Sequence, residues 1–117
     1  MKKLFPTIVI VVFFVSCSLQ SNTIIKPFES FVLGNNQHGN FKVKMRNISK
    51  NELELYHAPI NGGRHSSQIV KPNKRVTVRV DKNTSLVINN KSKDTASVDL
   101  LVTGDLGLSM GYKYEQK

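Results

Sequence analysis

Cationic side chains recur at alternate positions in two short stretches of this 117-residue chain. Lys42, Lys44 and Arg46 alternate with apolar residues in the first stretch, and Arg75 and Arg79 do so in the second. Alternate residues of a β-strand share one face. If both strands belong to one sheet, that sheet has a cationic face able to attract an anionic polysaccharide, lipid head groups or an acidic protein. The candidate residues of this face are Lys42, Lys44, Arg46, Arg64, Lys74, Arg75 and Arg79.

A solvated strand face, whose lysines discourage edge-to-edge aggregation, explains the same pattern without a ligand. Glu52 and Glu54 lie in the next alternating stretch of the chain. A hairpin between the two stretches, in a register that puts Arg46 opposite Glu52 and Lys44 opposite Glu54, would neutralise part of the charge. The sequence therefore leaves two interpretations of the cationic face open, a site for an anionic partner and a solvated strand face.

Catalytic and metal-binding chemistry has little support in the sequence. His38, His57 and His65 are far apart and lack the short spacings of metal ligands. The carboxylates fall mostly in turns or at outward strand positions, and none belongs to a nucleophile elbow, a zinc-binding helix or a phosphate-binding glycine loop. We therefore expect no enzymatic activity, no metal and no cofactor. A small hydrolase with a site in its loops is the least favoured alternative.

The beginning of the chain has the three-part layout of a secretory signal. Two lysines precede an almost wholly apolar run from Leu4 to Val15, which Ser16 and Cys17 close. The run is shorter than the ~20 apolar residues that a membrane-spanning helix needs. The pattern therefore predicts a signal peptide over residues 1–16.

The segment Phe14-Val15-Ser16-Cys17 resembles the lipobox of bacterial lipoproteins, in which small residues precede a cysteine that is diacylated and becomes the mature N-terminus. It differs from the usual pattern at Phe14 and Ser16. The resemblance implies a lipid on Cys17, the only cysteine in the chain, and two acyl chains hold a protein to a membrane. Ser18, in place of Asp, implies the outer rather than the inner membrane. Without lipidation the protein would be secreted or periplasmic.

Composition limits the mature part to one small domain. Roughly a hundred residues follow Cys17. No second cysteine is present, so the core forms without an intramolecular disulfide. The formal net charge is +9, and without Lys2 and Lys3 the 15 basic and 8 acidic residues give +7. We expect residues 17–26 to form a lipidated cysteine and polar tether, and residues 27–117 to form the domain.

The pattern of apolar residues predicts an all-β domain, because no stretch after the signal has a sustained helical period. Alternating segments separated by turn residues indicate an antiparallel β-sandwich of about seven or eight short strands. In strand number this resembles immunoglobulin-like and fibronectin type III domains. The last two segments, ending with Leu108, Met110, Tyr112 and Tyr114, are expected to form a hairpin with a second apolar face.

Together these features predict a lipid-anchored protein of the bacterial cell envelope whose non-catalytic β domain is a binding or assembly module. The expected membrane is the outer membrane. Its partners would be the membrane, through Cys17, and an anionic envelope polymer or another envelope protein. No nucleic-acid partner is expected, because no aromatic pattern interrupts the outward strand positions. The alternative is a soluble secreted or periplasmic inhibitor or ligand-binding module. In size and in its lipobox, the chain resembles the small lipoproteins that resist host lysozyme. Lysozyme is usually cationic too, so the positive charge of this chain counts against it as the target.

Overall fold

Residues 18–114 are described by the computed structural model, and they form nine antiparallel β-strands in two sheets. The predicted signal peptide and Cys17 lie outside these residues. The described residues contain no helix long and apolar enough to cross a membrane. The strands are β1 Ser18–Ile25, β2 Glu29–Leu33, β3 Phe41–Asn47, β4 Leu53–Pro59, β5 His65–Val70, β6 Arg75–Val80, β7 Thr84–Asn89, β8 Ala96–Gly104 and β9 Met110–Tyr114.

The two sheets have four and five strands. Sheet I has the order β1-β8-β3-β6, and sheet II has the order β5-β4-β7-β2-β9. This confirms the predicted antiparallel β-sandwich, with nine described strands instead of seven or eight. The path of the chain differs from that of immunoglobulin domains, because every connection except β4 to β5 crosses from one sheet to the other. The first eight strands follow the path of a jelly roll, and β9 is added beside β2.

Alternation of apolar and polar residues explains which face of each strand enters the core. Phe41, Val43 and Met45 of β3 are buried between the sheets, whereas Lys44 of the same strand is exposed. Apolar residues at alternate positions of β4, β6, β7 and β8 are buried as well. They include Leu53, Leu55, Val78, Val80, Leu86, Ile88, Ala96, Val98, Leu100 and Val102.

The prediction of a tether over residues 17–26 is wrong for the part that is described. Residues 18–25 form β1, which pairs with β8 along its whole length, so these residues belong to the folded domain. The inward side of this strand includes Ser21 and Thr23, whose hydroxyl groups are 2.9 Å apart. Because two of its inward residues are polar, β1 lacks the apolar alternation that identified the other strands.

The predicted hairpin between β3 and β4 is also wrong. The two strands lie in different sheets, because the chain crosses the sandwich between Asn47 and Leu53. Arg46 therefore lies between Asp99 and Arg75, its register partners on β8 and β6. Glu54 does not pair with Lys44 and instead binds the ammonium group of Lys91 at 3.1 Å.

The last two strands do not form the expected hairpin either. Strand β8 lies in the middle of sheet I, whereas β9 pairs with β2 at the edge of sheet II. Met110, Tyr112 and Tyr114 are 46%, 52% and 63% exposed, so they do not form a second buried face. Sheet II has one strand more than sheet I, which leaves this edge strand without full cover.

Candidate functional site

The two basic strands of the sequence, β3 and β6, are neighbours in sheet I. Their outward residues form three rows that continue across β8 and β1. We call them the upper, middle and lower rows. The upper row is Ser18, Thr103, Lys42 and Arg79; the middle row is Gln20, Leu101, Lys44 and Thr77; the lower row is Asn22, Asp99, Arg46 and Arg75.

The middle and lower rows line an open groove of about 670 Å³ on the outer face of sheet I. The groove runs across all four strands, since both edge strands contribute side chains to it. Its volume falls within the ~300–1,000 Å³ that is common for ligand pockets. The floor is the pleated sheet itself, so the site depends on strand register and not on a flexible loop.

The cations of this groove have no carboxylate partner among residues 18–114. The only ion pair within 4.0 Å in that part of the chain joins Lys91 to Glu54, on the other sheet. Arg46 is half-buried, and its Nε atom is buried without a hydrogen-bond partner in the described residues. A buried donor without an acceptor costs about 1–3 kcal/mol. Lys44 and Arg75 are exposed beside it.

The β1 and β8 side of the groove has different chemistry. Asn22 donates a hydrogen bond from Nδ2 to Oδ1 of Asp99 at 2.9 Å, and the same Nδ2 is 3.2 Å from the hydroxyl of Ser97. Among the described residues, Asp99 is the only carboxylate that lines the groove, and the Asn22 amide fixes its orientation. The groove is therefore cationic on β3 and β6, and contains neutral hydrogen-bonding groups and one acceptor on β1 and β8.

Two of the seven candidate residues of the cationic face lie elsewhere. Arg64 is in the loop between β4 and β5, where its guanidinium carbon is 3.9 Å from the centre of the Tyr56 ring on sheet II. Lys74 precedes β6, and its carbonyl accepts the backbone N–H of Asn47 at the end of the sandwich away from Ser18. Lys42 and Arg79 share the outer face of sheet I but belong to the upper row, beyond the groove.

The histidines occupy two separate positions. The ring nitrogens of His38 lie 2.6 to 3.0 Å from the backbone carbonyl oxygens of Gly34, Gly39 and Thr84. His57 and His65 are register partners on β4 and β5 and their ring centres are 5.1 Å apart. Within residues 18–114, no three histidine, cysteine or acidic side chains come together in a way that could hold a metal ion.

Sequence reasoning found the cations of the groove but not its other half. Gln20 and Asn22 were missed because β1 was interpreted as a tether. The sequence placed the carboxylates mostly in turns or at outward strand positions, but the place of Asp99 beside Arg46 depends on the pairing of β8 with β3. The signal that could have found β1 is the alternation of Leu19, Ser21, Thr23 and Ile25, which requires polar residues to be accepted at inward positions.

Comparisons of the chain with protein-family models, with curated proteins and with solved structures found no match.

Proposed function

We propose that this is a lipid-anchored protein of the bacterial cell envelope whose β domain binds an anionic envelope polymer in the groove of sheet I. The observation that carries the proposal is the arrangement around Arg46. Arg46 is half-buried in the groove, Lys44 and Arg75 are exposed beside it, and none of the three has a carboxylate partner within 4.0 Å among residues 18–114. An anion in the groove would accept hydrogen bonds from the part of the Arg46 guanidinium that is not buried. The domain would act by binding and not by catalysis.

The position of β1 constrains how an anchored domain would stand. Because β1 begins at Ser18, a lipid on Cys17 would leave no flexible spacer, and the end of the sandwich that contains Ser18 and Thr103 would face the bilayer. Lys42 lies in the row at that end, and Arg46 follows it by four residues along β3. Arg46 is therefore about 14 Å further from the bilayer than Lys42. The groove would therefore stand away from the lipid head groups, and a polymer beside the membrane fits it better than the membrane itself.

Replacement of the cysteine tests the anchor. We expect Cys17→Ser to move the protein from the membrane fraction to the soluble fraction and to remove incorporation of a labelled fatty acid. A wild-type protein that takes up no acyl label and fractionates like the variant would contradict the anchor. It would favour the soluble, periplasmic or secreted form of the binding module.

Binding of an immobilised acidic polysaccharide by the purified full-length protein in a non-ionic detergent tests the groove. We expect retention to weaken as salt is raised from low to physiological concentration. The double variant Arg46→Gln/Arg75→Gln should bind much more weakly. Lys50→Gln/Lys93→Gln is the matched control, because it removes two positive charges from loops outside the groove. Equal loss in both double variants would show that net charge, and not the groove, attracts the polymer.

A further inference from the structure

The lower row of the groove combines two kinds of binding group. Arg46 and Arg75 are cations on adjacent strands, and Asn22 and Asp99 continue the row on the other two strands. Neighbouring strands are about 4.8 Å apart. A ligand that spans the row therefore meets guanidinium donors at one end and a carboxylate acceptor with an amide at the other.

Asp99 limits which anions suit this groove. Its Oδ1 accepts the amide of Asn22 at 2.9 Å, and its Oδ2 has no hydrogen-bond partner in the described part of the chain. A carboxylate oxygen can only accept hydrogen bonds. A ligand group beside Oδ2 must therefore donate a hydrogen bond, and an anionic group at that position would be repelled.

A polymer of phosphate groups is a poor match for this pattern, because it has closely spaced negative charges and few donors. A sugar acid matches it, since each ring has one carboxylate and several hydroxyl groups. The carboxylate fits the planar fork of an arginine, which binds two oxygens side by side. The hydroxyl groups can donate to Asp99 and exchange hydrogen bonds with the amides of Gln20 and Asn22.

The middle row supports the same ligand class. Leu101 is a half-buried apolar side chain that lies between Gln20 and Lys44 on the floor of the groove. Sugar rings have apolar C–H faces as well as hydroxyl groups, and contact with Leu101 would remove such a face from water. A linear phosphate polymer has no apolar face to place there.

We propose that the groove selects a polysaccharide containing uronic acid, with the sugar carboxylate at Arg46 and Arg75 and a sugar hydroxyl at Asp99. This inference rests on the proposed function, since it names the class of anionic polymer that the groove binds. Asp99 is then a specificity-determining residue, because it accepts a hydroxyl group and disfavours a second negative charge.

The test compares two probes with equal numbers of negative charges, an oligogalacturonate and a polyphosphate, by titration calorimetry of the full-length protein in a non-ionic detergent. We expect the oligogalacturonate to bind roughly tenfold more tightly. Asp99→Asn should reduce this preference several-fold, mainly because polyphosphate binds the variant more tightly. Asp81→Asn is the matched control, since it removes one negative charge outside the groove and should leave the preference unchanged.

The outcomes separate this inference from the proposed function. Polyphosphate binding as tightly as the uronate, or a preference that Asp99→Asn does not change, overturns the uronic-acid inference and leaves an anion-binding groove. A neutral oligosaccharide that binds as tightly as the uronate also overturns it, because the arginines would then have no role. If neither anionic probe binds, and no acidic polysaccharide is retained in the first experiment, both proposals fail.

Discussion

Asn47, the last residue of β3, and Asn90, the first residue after β7, hold two loops with the same pattern of hydrogen bonds. In each loop the side-chain amide donates to the carbonyl of the residue four positions later, at 2.9 and 2.8 Å. The side-chain oxygen accepts the backbone N–H of the serine two positions later, Ser49 or Ser92. Each amide also donates to another segment, at Val70 in the first case and near Ile25 in the second. The loops at one end of the sandwich are therefore joined through two buried amides.

Replacing either asparagine should destabilise the domain. Both side chains are fully buried, and their removal leaves buried backbone groups without partners. We expect Asn47→Ala and Asn90→Ala each to lower the free energy of unfolding by about 1–3 kcal/mol, measured by urea denaturation. Asn61→Ala is the control, because Asn61 is exposed in the loop between β4 and β5 and should change stability by less than about 0.5 kcal/mol. Similar effects at the three positions would contradict a structural role for the two loops.

The ion pair between Glu54 and Lys91 distinguishes the observed sheet pairing from the hairpin that the sequence suggested. Burial alone would raise the pKa of the Glu54 carboxyl, but hydrogen bonds from Lys91 and Asn89 outweigh it and the pKa is lowered. A double-mutant cycle with Glu54→Gln and Lys91→Gln should give a coupling energy of about 0.2–1 kcal/mol at neutral pH. The coupling should disappear in acid, once the carboxyl group is protonated.

The control cycle combines Glu54→Gln with Lys44→Gln. These two residues lie in different sheets, so we expect their effects on stability to add within about 0.5 kcal/mol. Coupling between Lys44 and Glu54 that equals the coupling between Lys91 and Glu54 would mean that β3 and β4 are paired, contrary to the structure.

Strand positions could be predicted from the sequence because a half-buried strand repeats its apolar residues every second position. Phe41, Val43 and Met45 show this pattern without interruption and are buried as predicted. This alternation does not show which strands pair with each other. Two consecutive strands have the same alternation whether they form a hairpin or lie in different sheets. The predicted pairing of Lys44 with Glu54 was wrong for this reason.

For a related reason, only the cationic side of the candidate site could be predicted from the sequence. Lys44 and Arg46 could be assigned to one face from local alternation alone. Asn22 and Asp99 are 77 residues apart along the chain, and only the pairing of β1 with β8 brings them together. Non-local pairing of this kind leaves no local mark on the sequence, so the carboxylate beside Arg46 could not be predicted.

His57 should make stability depend on pH near neutrality. Burial lowers the pKa of its imidazole below 6.5, the nearby charge of His65 lowers it further, and Asp81 partly opposes these effects. The unfolded chain therefore binds the proton more readily than the folded one, and protonation favours unfolding. We expect the free energy of unfolding to be constant above about pH 7.5 and to fall as the pH decreases towards about pH 5.

Histidine variants assign this dependence. In urea denaturation across that range, His57→Gln should remove most of the decrease, and His65→Gln should remove a smaller part, because it eliminates only a neighbouring charge. His38 lies in the loop between β2 and β3, where its ring contacts backbone carbonyl groups, and both variants leave it in place. An unchanged pH profile in His57→Gln would show that this residue does not couple folding to protonation.

Asp105 should stabilise the fold in a lower pH range. Its carboxylate accepts the backbone N–H of Gly39 at 2.6 Å and that of Gly107 at 2.8 Å. These hydrogen bonds lower the pKa of the carboxyl group, and the charge of His38 lowers it slightly more. A lowered carboxyl pKa gives stabilisation that is present above the unfolded-state value of about 4 and is lost as the pH falls through the folded-state value. Asp105→Asn should therefore reduce stability at neutral pH and flatten its loss below about pH 4.5.

Glu52→Gln is the control, because Glu52 is an exposed acid. If both variants retain the wild-type acid profile in urea denaturation, the bonds to Gly39 and Gly107 do not hold the loop.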